Sequence, residues 1–118
     1  MSDAKNFPDL EKQVLSRIGL LGRSIPQPMK GFMELHEAAV HPGALSTAVK
    51  ELIALGIAIA VHCEGCIACH VHDALKAGAT PEQIDEAIAV ALMMGGGPAT
   101  VYGSMAHEAL QQFLAQSK

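Results

Sequence analysis

Residues 47–83, TAVKELIALGIAIAVHCEGCIACHVHDALKAGATPEQ, decide how the rest of the chain is read. On one side of the cysteine-rich centre, Val49, Leu52, Ile53, Leu55, Ile57 and Ile59 predict a helix beginning near Ser46 or Thr47. The centre itself predicts a helix from about Glu64 to Lys76, closed at Ala77-Gly78, where glycine readily takes the left-handed conformation. Thr80-Pro81-Glu82-Gln83 then restarts a helix. Thr80 is a good N-cap, Pro81 suits the first turn, and Gln83 is placed to complete a capping box.

Working outward, the same helical period continues. Leu10, Val14, Leu15, Ile18 and Leu21 mark a helix over Pro8 to Leu21, after which Pro26 and Pro28 punctuate the chain. A further helix is expected from about Met29 to Val40, stopped by His41-Pro42-Gly43, because a residue before proline is pushed out of the helical region. Beyond Thr80, Ile84, Ala87, Ile88, Ala91 and Leu92 lead to the Gly95-Gly96-Gly97-Pro98 break, and a last helix covers roughly Ala99 to Ala115. With no alternating strand pattern and no repeat, the expectation is an all-α bundle of about six helices, one domain over residues 1–118.

Composition sets further bounds. Half of the 118 residues are hydrophobic but only 3% are aromatic and none is Trp, so Ala, Leu, Ile, Val and Met must fill the core. A net charge of −4 with eight scattered basic residues argues against a nucleic-acid surface, which needs clustered Lys and Arg. The opening MSDAKNFPDLEKQ does not read as a secretory leader, giving a cytoplasmic expectation. Leu52 to Val61, the most apolar run, is about half of the ~20 residues a membrane span needs, so no membrane partner is expected. In a reducing compartment, three cysteines suggest metal or redox chemistry rather than structural staples.

Residues 62–73, HCEGCIACHVHD, can be divided in four chemically different ways. Cys66-Ile67-Ala68-Cys69-His70 spells the c-type haem attachment string, but no export signal accompanies it and the segment reads as mid-helix. Cys63, Cys66 and Cys69 open an iron–sulfur ligand run that lacks its fourth cysteine. Zinc could draw on Cys63, Cys66 and one or two of His62, His70 and His72, yet structural zinc sites usually gather ligand pairs from separate segments.

The fourth division is Cys63-Glu64-Gly65-Cys66 followed by His70. Two cysteines at the start of a helix can close a disulfide, and the helix N-terminus favours thiolate over thiol. His70 lies one turn beyond Cys66 on the same face and can withdraw its proton. Such a base works better when a third group fixes its tautomer. Glu51 is the candidate, provided that a hairpin near residues 60–62 folds it back, although neither Pro nor Gly marks that turn. Glu51 reads equally well as the solvated edge of its helix.

The text from Val49 to Gly103 resembles the carboxymuconolactone decarboxylase family, in particular its alkylhydroperoxidase D-like branch. The likeness rests on Glu51, the twelve-residue step to Cys63 and Cys66, His70 four beyond, the KAGATPEQI turn and the MGGGP segment. It implies an all-helical homo-oligomer, a trimer or hexamer, needing no bound cofactor or metal. Its activity would be reduction of a hydroperoxide, or service to a lipoyl protein, thioredoxin-like donor or peroxiredoxin partner. In that scheme Cys66 is the buried attacking thiolate, Cys63 its more accessible partner, His70 the base and Glu51 its orienting carboxylate. Lactone decarboxylases of the same fold generally lack the cysteine pair. Decarboxylation, a non-catalytic redox sensor and a metal-binding module are the rival readings.

Other polar residues carry weaker expectations. Cys69 departs from the family text and reads as a small buried hydrophobe. His62 could lower the Cys63 pKa or simply occupy the turn. His36, His41 and His107 are expected on the surface. His72 should face away from His70, with Asp73 nearer the motif face. Gly95 to Gly97 read as a helix terminator, and Tyr102 either lines a pocket or anchors the last helix.

Overall fold

A computed structural model describes residues 5–117; residues 1–4, the start of the stretch that does not read as a leader, and residue 118 lie outside the described residues. It consists of six helices: α1 (Phe7–Ser24), α2 (Pro26–Val40), α3 (Thr47–Ala60), α4 (Glu64–Lys76), α5 (Pro81–Gly95) and α6 (Gly97–Gln116), with no strand among the described residues. The expected all-α bundle of about six helices is therefore found, and α4 has the bounds read from sequence.

Helix starts follow local chemistry. Asn6, Ser46 and Thr80 cap α1, α3 and α5 by accepting the amides of Asp9, Val49 and Gln83, and Gln83 returns the bond to Thr80 as the expected capping box. Two helix starts differ from expectation, and α1 runs on to Ser24 beyond the expected Leu21. Helix α2 begins at Pro26 rather than Met29, and α6 at Gly97 rather than Ala99. The prolines taken as punctuation lie in the first turn, whose amides have no intrahelical acceptor, so their missing N–H costs nothing there.

Helices α3 and α4 end in the same hydrogen-bond pattern. In α4, Gly78 takes φ +100° while its amide bonds to Leu75 O and the Ala79 amide to Ala74 O. In α3, the matching bonds run from His62 to Ile59 O and from Cys63 to Ala58 O, with His62 itself at φ +61°. His62 therefore occupies a position that usually falls to glycine, which is why no sequence signal marked the α3–α4 turn.

The core is formed by Leu55 and Ile59 of α3, Ile67 and Val71 of α4, Ile84 of α5, Leu110 and Phe113 of α6, and Phe7 of α1. Buried alanines at 58, 68, 74, 106 and 109 let these helices approach closely. Helix α1 comes close against α4 at Gly65, where a Cβ would stand 2.9 Å from Val14 Cγ2. That glycine, inside the cysteine pair, is where α1 packs on the start of α4. Helix α2 is different. None of its residues is buried, and Phe32, Met33 and Leu35 are exposed.

Candidate active site

The α3–α4 turn builds the site. Because the turn spends only Val61 and His62, Cys63 both closes the α3 terminus and serves as N-cap of α4. Its Sγ accepts the Cys66 amide at 3.2 Å, so the sulfur sits against the unpaired amides and positive dipole end of α4. Cys63 and Cys66 are joined in a disulfide with Cα atoms 5.2 Å apart, within the ordinary range for such a bond. Cys66 is exposed and Cys63 half-buried, which reverses the order the family resemblance implied. The capping position tucks Cys63 under the end of α3, whereas the first turn of α4 carries Cys66 outward.

The hairpin returns Glu51 to His70. The Glu51 carboxylate, only 3% exposed, accepts from His70 Nδ1 at 2.7 Å through Oε1. A carboxylate acceptor places the ring proton on Nδ1 and leaves Nε2 as the basic atom. Since His70 lies four residues after Cys66 on one helix, these two share a face. Of the two readings open for Glu51, the solvated helix edge is excluded by its burial. His70 also lines a cavity of about 350 Å³ between α2, α3 and α4.

The rest of the histidine- and cysteine-rich segment points elsewhere. His72 turns to the other side of α4, where Nδ1 meets Glu11 Oε1 and Oε2 at 2.8 and 3.0 Å and the ring stacks on Phe113 with centroids 4.4 Å apart. Glu11, itself buried, is the partner that sequence did not reveal, because a contact across 61 residues leaves no local signal. Cys69 remains a free, half-buried thiol. Burial foremost, then the Glu11 and Asp73 carboxylates, push its pKa up from 9.0 to about 11, against a smaller opposing pull from Lys76. At neutral pH it stays protonated and is a poor nucleophile for its reactive neighbours.

The His62 ring stacks on Tyr102, centroids 4.4 Å apart and planes 5° apart, tying the turn to α6. His41 and His107 are exposed as expected, and His107 pairs with Asp85 at 2.8 Å. His36 is a correction. It is half-buried and lines the His70 cavity, because α2 lies across the α3 face that carries Lys50 and Ile57. The zinc ligand set considered from sequence is dispersed, His72 to Glu11 and His62 to Tyr102. Among the described residues, the one group able to offer a metal three ligands is Glu51, His70 and Asp73, whose donor atoms lie within 4.8 Å of one another.

Fold and site together define an all-helical protein with a dithiol–disulfide pair at a helix N-terminus and a buried carboxylate–histidine pair behind it. The family profile for carboxymuconolactone decarboxylases matches residues 26–108, and the chain belongs to that family. A carboxymuconolactone decarboxylase family protein of Legionella pneumophila superposes with a TM-score of 0.89 at 36% identity, over 93% of this chain and 98% of that one. A Thermotoga maritima member, for which involvement in the antioxidative response is suggested, aligns with a TM-score of 0.71 at 30% identity, over 76% of this chain and 93% of that one. An uncharacterized protein of Cupriavidus necator is 39% identical over 94 residues, 80% of this chain and 83% of the relative.

Proposed function

We propose that the protein is an alkylhydroperoxidase D-like, thiol-dependent peroxidase. The observation that carries this is the 2.7 Å contact between buried Glu51 and His70, which fixes a base one turn from Cys66 in a disulfide-forming pair. A disulfide that only held the turn closed would not need such a base, because thiol exchange alone calls for a thiolate.

In the reduced protein, His70 Nε2 takes the Cys66 proton while Glu51 stabilises the resulting imidazolium. The Cys66 thiolate attacks the distal oxygen of a hydroperoxide. The O–O bond breaks, the alkoxide leaves as alcohol with the proton from His70, and Cys66 becomes a sulfenic acid. Cys63 then attacks that sulfur, forming the disulfide and releasing water. An external dithiol, on a lipoyl protein, a thioredoxin-like donor or a small molecule, returns two electrons by exchange. The same exchange would let the pair serve a peroxiredoxin. Exposure of Cys66 supports its role as the atom that meets the substrate.

The test is a dithiol-dependent peroxidase assay on wild type and both single cysteine variants. Cys66→Ser should lose about a thousandfold or more in turnover, as expected for removal of a covalent nucleophile. Cys63→Ser should give one sulfenic acid per chain, trapped by dimedone, without sustained turnover. Turnover that survives Cys66→Ser but not Cys63→Ser reverses the two roles. Stoichiometric oxidation with no turnover for any donor would make the chain a sensor, and a lactone-directed activity persisting without both cysteines would make it a decarboxylase.

We also read the protein as a homo-oligomer. Phe32, Met33 and Leu35 lie on a helix with no buried residue, and Ile53, Ile57, Val90 and Met94 line an apolar groove between α3 and α5 of about 460 Å³. Apolar surface on this scale is characteristic of association. Light scattering should return a mass several times that of one chain.

A further inference from the structure

Resting on the peroxidase reading, we infer that the substrate is an organic hydroperoxide carrying a carboxylate on a short apolar chain, held by Lys50. The cavity that reaches His70 is where this is written. Its walls are apolar, with Val40, Ile53 and Ile57 among them, and its polar groups are Lys50, His36 and His70. His70 is the residue it shares with the redox site. At about 350 Å³ the cavity has room for on the order of ten water-sized groups at ~30 Å³ each, a small ligand by the usual range of pockets.

Lys50 gives the cavity its sign. Its ammonium donates to His41 O, the carbonyl just past the end of α2, at 2.6 Å in a solvent-exposed hydrogen bond. That uses one of three N–H donors. No carboxylate lies within ion-pair reach of Lys50 among the described residues, because neighbouring Glu51 is turned to His70. An ammonium with two N–H donors free and no protein counter-ion is open to an incoming carboxylate, which supplies the opposite charge and two acceptors. His36 has no side-chain hydrogen-bond partner among the described residues and stands in the same cavity as a further donor. With its carboxylate at Lys50 and its chain along Ile53 and Ile57, such a ligand extends toward His70. Neutral peroxides of the same length gain the apolar contacts but not the anchor.

The decisive comparison is between a hydroperoxy fatty acid of about eight carbons and its methyl ester, with hydrogen peroxide as the reference oxidant. Wild type should prefer the acid by about tenfold in kcat/KM, mostly through KM, as one charge-assisted contact allows. Lys50→Met should bring the acid-to-ester ratio near one, and Lys50→Arg should keep most of the preference. Equal use of acid and ester by a wild type that does turn over peroxide overturns the inference and leaves the peroxidase reading standing. If no peroxide is turned over, that reading fails, and binding still decides the pocket. Octanoate should shift the His36 and His70 ring resonances of the oxidised wild-type protein at concentrations where octanol does not; equal effects of the two would overturn the anionic site.

Discussion

Helix α4 carries two histidine–carboxylate pairs on opposite faces, and each histidine follows a cysteine by about one turn. On one face Cys66 precedes His70, which bonds to Glu51; on the other Cys69 precedes His72, which bonds to Glu11. As lists of residues the two are nearly the same. Their chemistry diverges because of what surrounds the sulfur. Cys66 is exposed, lies in the first turn at the positive helix end and has Cys63 as a bonded partner, whereas Cys69 sits deeper, where burial first and the nearby carboxylates second keep it protonated up to about pH 11. A histidine beside a cysteine is thus a redox site only where the thiolate is stabilised and a second sulfur is within reach.

The carboxylates differ as well. Glu51 is almost wholly buried and accepts through Oε1 alone, while Glu11 brings both oxygens to a histidine that also packs on Phe113. On the peroxidase reading Glu51 positions the base, whereas Glu11 only ties α1 to α4.

Exchanging the two pairs in function would break this comparison most severely. Removing the base with His70→Asn should lower peroxidase kcat/KM by about 10²-fold or more, and Glu51→Gln by about tenfold, since the ring loses its tautomer and orientation. Glu11→Gln should stay within about twofold of wild type. Comparable losses for Glu51→Gln and Glu11→Gln would show that both faces serve one relay.

Stability should rank the pairs in the opposite order. Glu11→Gln is expected to cost about 2 kcal/mol in chemical denaturation, the usual scale for a hydrogen bond to a charged group. Glu51→Gln should cost less or nothing, because it also relieves the desolvation of a buried charge. A larger loss at Glu51 would make that residue structural.

The smallest effect concerns Cys69. Its folded-state pKa of about 11 lies above the ordinary 9.0, so the fold favours the neutral thiol. The resulting stability is present below about pH 9 and is lost as the pH rises through 11. Denaturation of wild type and Cys69→Ser from pH 8 to 11 should show the steeper decline in wild type. At pH 8 the reduced protein should be alkylated at Cys69 far more slowly than at Cys66, since a rise from 9.0 to about 11 leaves about a hundredth of the thiolate. Rapid alkylation of Cys69 would join the two faces into one thiol system.

The helices were legible because their signals are local. Thr80, Pro81 and Gln83 cap α5 within four residues, and the Cys63-to-His70 spacing places the dithiol and the base on α4 without reference to any other element. The start of α2 was not, since Pro26 and Pro28 read as breaks although a first turn accepts them. The α3–α4 turn was hidden by His62, which adopts the backbone conformation that glycine normally announces.

By itself, then, the sequence determined the number and kind of helices and the residues facing each other along one turn, because hydrogen bonds and side chains three or four apart are set by helical period. Tertiary structure alone decided that His72 receives Glu11, that Cys66 is outward and Cys69 held as a thiol, and that His36 and Lys50 meet His70 in one cavity. Those outcomes depend on burial and on distances between elements far apart in the chain, where desolvation and Coulombic terms act and no spacing records them.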